Sequence, residues 1–245
     1  SGGILMNRPF ISKAHCDDAT QLSALTRFIN RRYAQDNVLM IAPAKGTKEK
    51  FNTLFSAAYQ SNRNGGTVLR ELISDIPTSA QIEERLMLGK TNVIYIASNE
   101  LAYITSLFNK LLDLQGKYSI TVVGNEDWMK LDQIDNNHKN RLNLHIPLSH
   151  YVDYQQTAVK EFVAKYRERF GTDPNKYAFW GYDISFFYLT GMAKQGRSFF
   201  DKLSNPGLSL TSLRFKMERP SETVGFNNFG ATIVRYRDYK LEIVN

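Results

Sequence analysis

From residue 19 to residue 149 the sequence alternates amphipathic helical segments with short runs that are apolar throughout, and little stands between them. Few folds accept that pattern. A strand that is apolar on both faces must be covered on both faces, and helices linking successive strands in right-handed crossovers supply that cover. The pattern therefore predicts an α/β fold with a mostly parallel sheet flanked by helices. Leu22, Leu25, Phe28 and Ile29 form a helical stripe behind Asp17 and Asp18, either of which can cap it, and residues 38–42 read as the first buried strand. Thr47 opens a helix with Phe51, Leu54, Phe55 and Ala58 on one face, and Asn64-Gly65-Gly66 breaks it before a strand over 67–73. Ile82, Leu86 and Leu88 mark a short helix, 92–97 a strand, Leu101, Ile104, Phe108, Leu111 and Leu112 a helix, and 118–123 a strand. Residues 142–148 close the series as an edge strand, with Pro147 tolerable near its end, which gives a sheet of about five strands.

The character changes after Asp153. In the stretch 162–196, Phe162, Tyr166 and Phe170 stand four apart beside Val159 and Val163, while Lys160, Lys165, Arg167 and Arg169 lie opposite. Gly171 and Pro174 form a stop signal, so a second helix is expected to begin near Lys176. Tyr177, Phe179, Trp180, Tyr182, Phe186, Phe187 and Tyr188 surround that second helix, which predicts burial on most sides. Strand-like segments follow at 212–217 and 231–236 with Asn227, Asn228 and Gly230 as the turn between them, and a hairpin closes the chain. The expected organisation is an α/β lobe over 1–150, a helical return segment over 151–210, and C-terminal strands over 211–245.

Of the 245 residues 42% are hydrophobic, enough for a packed core, and no window approaches the roughly 18 uninterrupted apolar residues of a membrane-spanning helix. The single cysteine, Cys16, forbids an internal disulfide and fits either a reducing compartment or an envelope protein without bridges. A net charge of +7 allows anionic partners, but the basic residues are dispersed, which argues against a nucleic-acid footprint. The opening Ser1-Gly2-Gly3 suggests a trimmed form, so the lack of an export signal excludes no compartment.

Catalytic signatures are missing: no Gly-x-Ser-x-Gly, Gly-x-Gly-x-x-Gly, Gly-x-x-x-x-Gly-Lys-Ser/Thr or His-Glu-x-x-His occurs. His138, His145 and His150 match no metal-ligand spacing and read as surface or loop histidines; Cys16 reads as a structural thiol, and Glu83 and Glu84 as solvated carboxylates. No metal and no cofactor is expected. In an open parallel sheet the ligand side is the rim at the carboxyl ends of the strands. Those ends are Ala42, Pro43 and Ala44; Ser98, Asn99 and Glu100; and Asn125, Glu126, Asp127 and Trp128. The last two groups join hydrogen-bonding side chains to a helix start, where free N–H groups favour anions. Ser98 and Asn125 serve equally well as helix caps there, and Trp128 either binds at a loop tip or covers the core edge.

Taken in order, these segments resemble the second half of a type I periplasmic binding protein, the superfamily of the branched-chain amino acid receptors of ABC transporters. The residues that carry the resemblance are Asn37-Val-Leu-Met-Ile-Ala-Pro43, Val93-Ile-Tyr-Ile-Ala-Ser-Asn-Glu100, Val122-Val-Gly-Asn-Glu126, and the helix, proline turn and Gly181-Tyr182-Asp183 of the 162–196 stretch. The resemblance implies a non-enzymatic solute-binding module of the periplasm or cell envelope that takes an amino acid or small peptide. By the same resemblance Glu126 sits where an ammonium-binding acid does, Ser98 and Asn99 line a cleft face, and Tyr182 lies near the hinge. It also implies a half-sized or truncated member, because the family's first lobe-forming segment has no counterpart before Asn7. The C-terminal stretch from Thr232 to Val244 resembles envelope members found with peptidoglycan-binding LysM modules. Two other readings remain open at this point: a structural or interaction protein, with a homodimer through the aromatic helices, and an α/β enzyme of unrecognised type.

Overall fold

A computed structural model describes residues 2–44, 49–203 and 207–245. In chain order the elements are β1 (Ser12–Lys13), α1 (Asp18–Arg32), β2 (Asn37–Ala42), α2 (Glu49–Asn62), β3 (Arg70–Ile73), α3 (Ser79–Glu83), β4 (Thr91–Ile96), α4 (Leu101–Leu114) and β5 (Ser119–Val123). They continue with α5 (Asn136–Arg141), β6 (His145–Leu148), α6 (Thr157–Phe170), α7 (Lys176–Gln195) and α8 (Phe199–Lys202). The chain then finishes in strands β7 (Met217–Glu218), β8 (Phe226–Asn228), β9 (Thr232–Arg237) and β10 (Lys240–Ile243). Thr47, the expected start of α2, lies outside the described residues.

The chain forms two compact units. Unit one comprises residues 1–21 and 149–232, and unit two comprises 22–148 and 233–245. This division differs from the three sequence segments, since residues 1–21 belong with the helical return and the last thirteen residues belong with the α/β lobe.

Unit two holds a seven-stranded sheet in the order β10-β9-β6-β5-β4-β2-β3. Its five central and edge members from β2 to β6 are parallel, as their apolar sequences require. All six residues of β2 are buried, so both sheet faces are covered. Leu22, Leu25, Phe28 and Ile29 of α1 pack with Phe55 and Tyr59 of α2 on Val38, Met40, Val93 and Tyr95. The Phe55 and Tyr95 rings stack with centroids 3.9 Å apart. The C-terminal β9–β10 hairpin adds the two extra strands, turning through Asp238 and Tyr239, both at positive φ, as a two-residue hairpin requires. Its attachment, with Tyr236 N donating to Leu144 O, moves β6 from the expected edge into the sheet interior. The register of β6 on β5 pairs Val123 with His145, two residues before Pro147. At the amino ends of the strands Asn37 Nδ2 donates to Asn92 Oδ1 over 2.8 Å, and Asn92 Nδ2 donates to Ser119 O, stitching three neighbouring strands.

Unit one is assembled differently. Its sheet has three strands, β1-β8-β7, each two or three residues long. The expected turn at Asn227 and Asn228 is instead part of strand β8, and most of 212–217 runs without ladder pairing. Two buried polar side chains replace the absent ladder. The Asp183 carboxylate accepts from Thr211 N and Oγ1, Ser212 N and Oγ, and Leu213 N, all within 2.7–2.8 Å. Asn228 donates to Ala14 O and Arg214 O and accepts from Lys216 N and Gly230 N, while its carbonyl accepts from Cys16 Sγ. Phe187, Phe199, Leu213, Phe215 and Phe226 form the apolar core around them.

Gly171 ends α6 at φ +68°, Pro174 is buried in the connection, and Asn175 caps α7 by accepting from Tyr177 N and Ala178 N. The helical stop read from the sequence is therefore present. The enclosure expected for α7 is not: Phe179, Asp183, Phe187 and Gly191 are its buried residues, one stripe at a spacing of four, and the opposite face is exposed. Phe162 and Phe186 are half-buried and Phe170 is exposed, so the aromatic pattern marks a partly wet seam between α6 and α7.

Candidate functional site

The rim at the carboxyl ends of β2, β4 and β5 belongs wholly to unit two. Ala44 is exposed just past β2. Past β4, Ser98 is fully buried: its Oγ accepts from Glu100 N at 3.1 Å and its carbonyl from Trp128 Nε1 at 2.8 Å. Glu100 is the exposed N-cap residue of α4 and makes no side-chain cap bond. Past β5, Gly124 and Asn125 lead into a short 3-10 helix, Glu126–Lys130.

These loops are joined by a polar chain that runs from the core to solvent. The buried Tyr95 hydroxyl donates to Asn125 Oδ1 at 2.7 Å, Asn125 Nδ2 donates to Asn99 Oδ1 at 3.3 Å, and Asn99 Nδ2 donates to Asp127 Oδ2 at 3.1 Å. Lys130 closes the outer end on Asp127 Oδ1 at 2.7 Å, and that pairing raises the ammonium pKa. Glu126 sits half-buried beside the chain. Among the described residues that follow β4 and β5, Glu100, Glu126 and Asp127 bring three carboxylates and Lys130 one ammonium, a local excess of acid suited to a cationic group. The rim offers hydrogen bonds and charge, with no nucleophile held against a base among the described rim residues.

Trp128 is turned inward by this geometry. It stands in the core, 1% exposed, with its ring edge-on to Phe108 and its N–H satisfied by Ser98, and a Cβ at Gly124 would collide with the indole. The glycine that ends β5 thus makes room for a structural tryptophan. Ser98 and Asn125 are likewise turned inward and bonded, which leaves Asn99, Glu100, Glu126 and Asp127 as the accessible polar groups. Tyr182 belongs to unit one, on α7, where its ring lies 4.6 Å from Phe162 and burial raises its phenol pKa. Tyr95 and Lys130 were missed in the sequence; a tyrosine inside an otherwise apolar strand is the signal that could have found the first, since a buried hydroxyl needs a partner.

His145 also differs from the sequence reading. It is buried against Phe28 and Tyr33, its Nδ1 meets Asn143 O at 2.7 Å, and desolvation lowers its pKa to about 4. Cys16 is buried and donates to the Asn228 carbonyl, and Glu83 pairs with Lys117. Among the described residues no group of three or more His, Cys, Asp or Glu side chains could hold a metal ion.

The architecture is shared with a protein described as a branched-chain amino acid ABC transporter from Rhodospirillum rubrum. The match has a TM-score of 0.62 and 16% identity, covering 96% of this chain and 68% of that one. This is the type I periplasmic-binding-protein fold. An ABC transporter substrate-binding protein from Desulfitobacterium hafniense in complex with Leu matches with a TM-score of 0.54 and 12% identity over 94% of this chain and 66% of its own. Full-length LpoA from Haemophilus influenzae matches with a TM-score of 0.52 and 9% identity over 94% of this chain and 41% of its own. The chain thus spans about two thirds of the length of these transporter proteins. No family model and no curated protein matches the sequence. No described helix is long and apolar enough to cross a membrane.

Proposed function

We propose that the chain is a non-catalytic, solute-binding module of the periplasm or cell envelope that takes an amino acid or small peptide by its ammonium group at the rim of unit two. The observation that carries this reading is the acid-rich cluster of Asn99, Glu100, Glu126 and Asp127, with Lys130 on Asp127, among the described residues at the carboxyl ends of β4 and β5. The periplasmic-binding-protein fold supports it, as does the leucine complex of the D. hafniense protein. Glu126 is the residue we assign to the ammonium. Isothermal titration with leucine, other amino acids and dipeptides should give saturable heat that Glu126→Gln removes while leaving the melting curve unchanged. No heat and no thermal stabilisation from any of these ligands would overturn the reading.

A second reading is favoured by the inward bonding of Ser98, Asn125 and Trp128, which makes much of the rim self-sufficient without a ligand. In it the fold serves as an interaction module of the envelope, associated with peptidoglycan or with protein partners. A ligand-silent titration together with pull-down on purified peptidoglycan would favour this second reading.

A further inference from the structure

A cavity of about 530 Å³ opens on unit one, within the roughly 300–1,000 Å³ range of small-molecule sites. All of its lining comes from α6 and from the chain just before and just after that helix. Lys160, Val163, Ala164 and Arg167 recur at the spacing of a single helix face, which is apolar in its middle and carries a cation one turn away at either end. Tyr154 and Pro174 complete the apolar lining. The Tyr154 ring is held edge-on to the buried Phe179, with centroids 6.3 Å apart, yet the residue stays 58% exposed.

The two cations are treated differently. Asp173, also in the lining, accepts from Arg167 Nε, which orients that guanidinium and offsets its charge. Lys160 has no such acid: among the described residues its ammonium meets the neutral Gln155 Oε1 at 3.5 Å. The two acids of α6, Glu161 and Glu168, stand outside the lining. One positive charge is therefore left unbalanced beside an apolar surface that remains open.

We propose that this cavity binds a small monocarboxylic acid with an apolar ring or chain, its carboxylate on Lys160 Nζ and its body along Val163 and Ala164 beside the Tyr154 ring. The charge count selects a monoanion. A neutral ligand would leave the ammonium unmatched, and a second carboxylate would reach the end where Asp173 already holds Arg167. Lys160 and Arg167 are about 10 Å apart along the helix axis, which leaves room for a molecule of the size of 3-phenylpropionate between them. The site shares no residue with the rim of unit two, and its ligand needs no ammonium group.

Isothermal titration of the full 245-residue chain with 3-phenylpropionate tests the proposal. Saturable binding is expected, weakening as salt rises. Lys160→Gln should reduce the affinity by about tenfold, and Ala164→Trp should abolish binding by filling the groove. Both positions are exposed, so the melting curve of each variant should match wild type. Glu126→Gln should leave this binding unchanged, because the ligand offers nothing to an ammonium-binding acid. Absence of saturable heat at millimolar ligand, equal affinity in Lys160→Gln, or equally tight binding of the neutral 3-phenylpropanamide would each overturn the proposal. Loss of binding in Glu126→Gln alone would move the ligand to the rim and overturn it as well.

Discussion

Unit two and unit one solve the same problem, the pairing of buried backbone, with different materials. In unit two the strands do it themselves: seven strands form one sheet, and the interior of β2 and β4 is closed to solvent. In unit one the strands are two or three residues long, and single polar side chains stand in for the missing ladder. Asp183 accepts five hydrogen bonds from residues 211–213, and Asn228 ties together residues 14, 214, 216 and 230. A sheet spreads its stabilisation over many interchangeable contacts, whereas a carboxylate that gathers five donors concentrates it in one residue. The two units should therefore respond to mutation in different ways.

The largest expected effect lies in unit one. Asp183→Ala leaves three backbone N–H groups and two hydroxyls without an acceptor in a dry site, and should cost about 3 to 5 kcal/mol in urea unfolding. Asp183→Asn, which keeps the shape and loses acceptor capacity, should fall between that variant and wild type. A loss below about 1 kcal/mol for Asp183→Ala would break the contrast, since it would mean that the apolar core of unit one suffices alone.

The next effect is a pH dependence carried by unit two. His145 has its pKa lowered to about 4 by burial, against about 6.5 when unfolded. The unfolded chain thus binds the proton more readily, so the native state is favoured above about pH 6.5 and loses stability as pH falls towards about 4. The full loss is about 3 kcal/mol. Thermal melts across this window should show the decline, and His145→Phe should flatten it.

A smaller effect tests the tryptophan. Trp128→Phe keeps most of the ring packing on Phe108 but leaves Ser98 O without its indole donor, and should cost about 1 to 2 kcal/mol. The same substitution should leave any amino acid affinity at the rim unchanged, because Trp128 is buried and structural. A large loss of affinity without loss of stability would return it to the binding surface.

The rim was legible in the sequence as a place, because loops following apolar strands of a parallel sheet lie on one side by topology. Which of its residues face outward was not. Ser98 and Trp128 are 30 residues apart and satisfy each other, and Tyr95 reaches Asn125 from inside a strand. These partners are chosen by the sheet order, which periodicity does not encode. The helix stop at Gly171, Pro174 and Asn175 was legible because its chemistry is local. The enclosure of α7 was misread because aromatic content alone does not say which neighbours are there to cover a helix.

By itself the sequence determined the alternating elements, the parallel core of unit two, the caps around α6 and α7, and the closing hairpin. Each follows from side-chain periodicity or turn chemistry within a few residues. Only the tertiary structure decided that β9 and β10 join β6 and take it off the edge, that residues 1–21 belong with 149–232, that Trp128 is core, and that Asp183 holds unit one together. The physical reason is common to all four. They depend on pairings between groups far apart in the chain, where the cost of leaving a buried polar group or a strand edge unmatched selects the partner, and that cost exists only once the chain is folded.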